Sequence, residues 1–147
     1  EADEAAMIYK VFQLNDLTAK DLMTPRVAAP TLPGRVSLQS VKSNLLENNS
    51  TWWVVLGEEV DKVVGVANRE KLLTSLLRGD SHLTPQDLSE IVEFVPEMIR
   101  VDRLLLGFNN DKNGVRVVVD EFGGFVGLIG AEAVLAVLAG WWRKSNK

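Results

Sequence analysis

Apolar residues along this chain alternate between two periods, and the order of those periods is repeated. From Ser37 to Asn48, Leu38, Val41, Leu45 and Leu46 fall at three- and four-residue steps, which predicts an amphipathic helix. Asn48-Asn49-Ser50 ends it. Trp52 to Leu56 is an apolar run of strand length, Gly57 to Asp61 a turn, and Lys62 to Val66 a second strand. Asn68 is placed to cap a helix reaching about Leu77. Ahead of this unit, Arg26 to Leu32 reads as extended, with Pro30 and Pro33 confining it to an edge or an irregular strand. The order then returns. Glu90 to Val95 is extended and ends at Pro96, Arg100 to Asn110 is helical, and Val115 to Val119 and Phe125 to Ile129 are strands around a Gly123-Gly124 turn. Ala131 to Leu138 closes the copy as a helix.

The two copies align residue by residue. Leu38, Val41 and Leu45 correspond to Val101, Leu104 and Phe108, and Trp53-Val54-Val55 to Val117-Val118-Val119. Val64-Gly65-Val66 corresponds to Val126-Gly127-Leu128, and Leu72 to Val134. A period of about 63 residues is too long for most solenoids. It predicts two small α/β halves packed on each other, since neither alone would bury much apolar area. Outside the copies, Glu1 to Leu14 reads as a helix with Met7, Ile8, Val11 and Phe12 on one face. Thr18 and Asp21 have capping-box spacing for a second short helix, which Pro25 stops. Thr84-Pro85 starts another, as cap and first helical residue.

Composition narrows the function classes. With 147 residues, 46% of them hydrophobic and 24% charged, the chain is an ordinary globular one. The formal net charge is -4 and the cations are scattered, so no basic stripe offers itself to nucleic acid. The absence of cysteine excludes disulfides and thiolate chemistry. The longest apolar run, Ala133 to Trp142, is about half of the ~20 residues a spanning helix needs. The helical start and the polar tail read as a segment of a longer polypeptide.

Candidate chemistry is sparse. His82, the sole histidine, has no partners at metal-ligand or general-base spacing. Glu58-Glu59 and Asp120-Glu121 are turn carboxylates at matching positions, and Gly123-Gly124 leads into a strand rather than into the helix a phosphate loop requires. No nucleophile–base pair supports an independent enzyme. At the strand-to-helix junctions at Asn68 and Gly130, free backbone N–H groups could face an anion, or the residues could simply cap the helices that follow. Trp52 and Trp53 point to opposite faces of one strand, one into the core and the other toward a base or a partner; Trp141-Trp142 suits packing on another domain or subunit.

The repeat resembles the CBS-domain pair, or Bateman module, of CorC/HlyC and cyclin-M membrane proteins. Asp21-Leu22-Met23-Thr24-Pro25-Arg26 is similar to the signature that opens the pair. Val95-Pro96-Glu97 with Val101-Asp102-Arg103-Leu104-Leu105 is similar to the start of its second domain. Val117-Val118-Val119-Asp120-Glu121-Phe122-Gly123-Gly124 with Gly127-Leu128-Ile129 is the most specific match, and Glu4 to Leu14 resembles the helix that joins the pair to its membrane domain. The resemblance implies an α/β (α+β) fold of tandem CBS domains, each a small sheet with two helices, related by a pseudo-two-fold. The expected division is a linker helix at 1–17, CBS domains at 18–80 and 81–140, and a tail at 141–147. It also implies a homodimer, a transmembrane domain in the parent protein, a cytoplasmic position at the inner (plasma) membrane, a link to magnesium and cobalt efflux, and AMP or ATP in the clefts.

In that family a Thr hydroxyl and an Asp carboxylate after the last strand hold phosphate and ribose. Here those positions are Gly130 and Ala133, and in the first copy Asn68 and Lys71. The family's Ser-Arg strand motif reads Thr51-Trp52-Trp53-Val54, so its phosphate-binding Arg is absent. The resemblance therefore places a nucleotide site at Asn68, Lys71, Val95, Pro96, Arg116 and Val117, with Lys71 and Arg116 as compensating cations. It leaves a degenerate second cleft at Ala29, Pro30, Trp52, Val54, Gly127, Gly130 and Ala133. Two functions compete: a nucleotide-sensing regulatory module, and a structural dimerisation module that has lost its ligand.

Overall fold

The computed structural model describes residues 16–59, 62–108 and 113–145. Its elements are α1 (Ala19–Leu22), β1 (Thr24–Pro25), a 3-10 turn (Arg26–Ala28), β2 (Thr31–Pro33), α2 (Leu38–Glu47), β3 (Trp52–Leu56), β4 (Val63–Asn68) and α3 (Arg69–Leu77). Then follow β5 (Glu93–Pro96), α4 (Val101–Phe108), β6 (Val115–Val119), β7 (Phe125–Gly130) and α5 (Ala131–Ser145). One sheet has the order β2-β3-β4 and the other β1-β7-β6-β5. In each half the first strand runs parallel to the second and the hairpin is antiparallel. The fold is therefore the mixed α/β pair of small sheets that the repeat predicts.

Strand alternation sorts the side chains into layers. On β3, Trp53 and Val55 join Leu32, Leu38, Val41, Leu45, Ala67 and Leu72 beneath α2 and α3. On β6, Val118 joins Val95, Val101, Leu104, Phe108, Ile129 and Val134 beneath α4 and α5. The opposite faces meet at the centre, where Val54 and Val66 of one sheet bury against Val115, Val117 and Phe125 of the other. The result is helix, sheet, sheet, helix, with the apolar surface of each half completed by its neighbour.

The segments that precede each copy cross over. The backbone N–H of Ala19 donates to Ile99 O at 2.9 Å, Lys20 N–H to Glu97 O at 2.9 Å, and Val101 N–H to Leu17 O at 3.0 Å. β1 then pairs with β7, Thr24 opposite Leu128. Reciprocally, Leu38 N–H donates to Leu83 O at 2.9 Å, Gln86 N–H to Gly34 O at 2.9 Å, and Glu90 bridges Val66. Residues 17–25 thus pair with the sheet of the second repeat, and residues 83–90 with that of the first.

Several elements differ from their expected form. Arg26 to Leu32 is not extended throughout. Its first three residues form a 3-10 turn closed by Ala29 N–H on Arg26 O at 3.2 Å. Thr84 and Asp87 make the reciprocal cap, Thr84 N–H to Asp87 Oδ2 at 2.9 Å and Asp87 N–H to Thr84 Oγ1 at 3.2 Å, but no helix follows. The crossing to Val66 draws the chain straight at Glu90. The final helix runs past Leu138 to Ser145. The helix expected over residues 1–14 and the side chains of Trp141 and Trp142 lie outside the described residues.

Candidate functional site

Both strand-to-helix junctions have formed, and they differ. At the first, β4 ends on Asn68, whose side-chain oxygen accepts from Lys71 N–H at 3.2 Å and so caps α3. Lys71, Thr74, Ser75 and Arg78 follow at three-, four- and seven-residue steps on one helix face. With Asn68, Glu70 and Leu88 they line an open groove of about 540 Å³. Two cations, two hydroxyls and an amide, with the Glu70 carboxylate as the one anion among them, give the groove donors that suit a phosphorylated ligand chemically. The Lys71 ammonium is engaged with Glu90, Nζ to Oε2 at 3.3 Å.

At the second junction the positions of Asn68 and Lys71 are taken by Gly130 and Ala133. Gly130 ends β7, Ala133 lies one turn into α5, and Ala131 N–H donates to Gly114 O at 2.9 Å. The Glu132 carboxylate folds back so closely that a Cβ on Gly130 would overlap it. The exposed Glu132 carboxylate, in the first turn of α5, adds negative charge beside the junction and disfavours a second anion there. Trp52, Ala29 and Val54 belong to the central layer, Val54 fully buried. Pro30 O accepts from Val54 N–H at 2.9 Å. Gly127 lies beneath Met23 and Thr24 of the crossing segment. Trp52 is thus half-buried between the sheets, while Trp53 is in the helix-side core with its indole N–H on Ser50 O at 3.0 Å.

Of the residues expected at the nucleotide cleft, Asn68 and Lys71 come together and the others do not join them. Val117 is fully buried in the central layer and Val95 in the core beneath α4, while Pro96 sits exposed at the end of β5. Arg116 is a correction. It shares the helix-side face of β6 with Val118, is 2% exposed, and does not line the groove. Its guanidinium lies 4.9 Å from the centre of the Phe108 ring, donates to Val115 O at 3.0 Å and pairs with Glu93 at 3.5 Å. Burial pulls its pKa down, and Glu93 opposes that. Thr74, Ser75 and Arg78 were not singled out from sequence, although their spacing from Lys71 is the signal that finds them.

The turn carboxylates have local partners. Asp120 Oδ1 accepts from Phe122 N–H at 2.9 Å and Gly124 N–H at 2.8 Å, and Gly123 takes φ 82°, which fixes the hairpin turn. Glu58 pairs with Arg35 at 3.0 Å. Among the described residues no group of His, Cys, Asp or Glu could hold a metal ion, and no helix is long and apolar enough to cross a membrane.

No family model matches the chain. Known proteins do. A UPF0053 protein of Synechocystis is 41% identical over 140 residues, covering 95% of this chain and 40% of its own. The magnesium and cobalt efflux protein CorC of Vibrio cholerae is 30% identical over 94% of this chain and 47% of its own. The solved CBS domain of a bacterial CNNM/CorC family Mg2+ transporter, in complex with ATP, is 30% identical, superimposes with a TM-score of 0.84, and is matched over 93% of this chain and 97% of its own. The chain belongs to the CBS-domain pairs of the CorC/CNNM family. This CBS pair spans less than half the length of the two curated relatives.

Proposed function

We propose that this CBS pair is the cytoplasmic regulatory module of a CorC-type membrane transporter linked to magnesium and cobalt efflux, and that it senses an adenosine nucleotide at the groove of α3. The observation that carries the reading is the match, at 30% identity and across 97% of its length, to a CBS domain that holds ATP. Asn68 would orient the ligand, and Lys71 and Arg78 would meet its phosphates. Arg116 supports β6 and α4 rather than touching the ligand. The module acts as a homodimer beneath a transmembrane domain of the parent protein.

A second reading, a structural module without ligand, is favoured at one cleft by Gly130, Ala133 and the folded-back Glu132. Titration calorimetry with AMP and ATP separates the two. The regulatory reading expects micromolar binding that Lys71→Ala weakens about tenfold or more, the loss of one charged hydrogen bond of ~1.5–3 kcal/mol. Ligand at 100 times Kd then adds about 2.7 kcal/mol of stability in a thermal melt. Binding lost on Ala133→Glu and retained in Lys71→Ala would move the site to the other cleft. Heat and melts indifferent to either nucleotide would leave the structural reading.

A further inference from the structure

Glu90 ends the segment that the second repeat sends across to the first. Its backbone N–H donates to Val66 O at 2.7 Å, and its carbonyl accepts from Val66 N–H at 3.1 Å. That double bridge anchors the residue beside the first turn of α3. Its side chain is 30% exposed and its Oε2 lies 3.3 Å from Lys71 Nζ, while the Lys71 side chain is 66% exposed and lines the groove. We propose that Glu90 is a tethered competitor that sets the affinity of the groove for the anionic group of its ligand. The inference rests on the reading of that groove as a nucleotide site.

Lysine presents a compact point charge rather than a two-armed fork. A carboxylate at contact distance therefore claims the same charge that a phosphate needs. A phosphate approaching Lys71 with Glu90 in place also meets a like charge. The backbone bridge keeps the competitor at high local concentration without further binding cost. An exposed pair is weak, so the competition is one a multiply charged phosphate can win. When it does, the side chain leaves and the backbone bridge stays. Anion entry thus removes one tie between the two repeats and leaves the fold intact.

The test is calorimetry on the whole chain with ATP and with inorganic pyrophosphate, the latter reporting the anion alone. Glu90→Gln keeps the backbone bridge and removes the charge, and should bind both probes about 2–5-fold tighter, the equivalent of one exposed ion pair. In a Lys71→Ala background the gain should vanish, and Glu90→Asp should bind as the unaltered chain does or between it and Glu90→Gln. If the unaltered chain binds ATP and Glu90→Gln binds no tighter, the competition is refuted and the nucleotide site stands. A gain that persists in Lys71→Ala also refutes it, since long-range repulsion would then be the cause. If no variant binds either probe, the nucleotide reading falls and the competition with it.

Discussion

The crossing of the opening segments can be tested at a residue with no side chain. Gly65 stands on β4 where the Glu90 carbonyl passes, and a Cβ built there would lie 2.5 Å from that oxygen and 3.3 Å from the Ser89 Cβ. To reach even 3.0 Å the segment must retreat by roughly 0.5 Å. The same oxygen accepts from Val66 N–H at 3.1 Å. The retreat carries that bond to about 3.6 Å, past hydrogen-bond range. Losing it costs about 0.5–1.5 kcal/mol, and the forced shift a further ~1–3 kcal/mol. The smaller conformational freedom of alanine in the unfolded chain returns about 0.4–1 kcal/mol. Gly65→Ala should therefore destabilise by about 2 kcal/mol, a fall in Tm of roughly 5–8 °C for a chain of this size. Gly127 is its counterpart, with Thr24 O at 2.8 Å and the unbranched, adaptable Met23 side chain nearer still, so Gly127→Ala should cost less, about 1 kcal/mol. Gly140, with nothing within 4 Å in α5, is the control, and alanine there should stabilise by up to about 1 kcal/mol. Urea unfolding followed by circular dichroism, with an unchanged slope, gives the three values. Hydrogen exchange should quicken in residues 84–90 of Gly65→Ala. A Gly65→Ala chain as stable as Gly140→Ala would refute the account of the crossing.

Two further predictions concern charged groups. Arg116→Ala should destabilise by about 2–4 kcal/mol through lost packing against Phe108. Arg116→Met should recover most of that, because Glu93 is 70% exposed and is left solvated. Chemical unfolding reads both, and ATP affinity equal to that of the unaltered chain checks that the residue is support. Hydrogen bonds from the Thr84 backbone and hydroxyl hold the Asp87 carboxyl below its ordinary value of 3.8, with a smaller contribution from His82. Its folded pKa being the lower one, its contribution to stability is present above 3.8 and drains as pH falls through the folded value. Melts across pH 2–5 should show a shallower acid limb in Asp87→Asn, by about one proton at most.

Most of the layers were legible in the sequence, and the reasons are local. β3 and β6 are bounded by turn residues and filled with β-branched side chains, so both fall where the pattern puts them, at Trp52–Leu56 and Val115–Val119. α3 begins one residue past Asn68 because the cap is written in the chain. The crossing was not read, although its signal is present. Leu17-Thr18-Ala19-Lys20-Asp21-Leu22 returns as Leu83-Thr84-Pro85-Gln86-Asp87-Leu88. In each, Thr N–H donates to the Asp carboxylate, at 2.8 and 2.9 Å. Two matching Thr–Asp caps ahead of two similar units show that the repeat begins earlier than its strands. Which sheet each cap joins depends on long-range pairing that no local pattern records. Arg116 misled for a related reason. Alternation along β6 places it with Val118 on the helix side, but a charged residue on an apolar strand invites a ligand before a ring and a carbonyl.

Pseudo-symmetry would furnish two equal clefts, and the side chains have made them unequal. One junction carries Asn68, Lys71 and Arg78 around an open groove, and the other has a glycine, an alanine and an inward-folded carboxylate. Because of the crossing, the junction with cations is not the property of the first repeat alone. Leu88 lines its groove and Glu90 holds its lysine, and both come from the segment that opens the second. An anion at Lys71 therefore acts on both repeats at once through a single contact. On the proposed reading, a ligand at the groove of α3 would change how the two repeats are tied at Lys71 and Glu90, whatever has happened at Gly130 and Ala133.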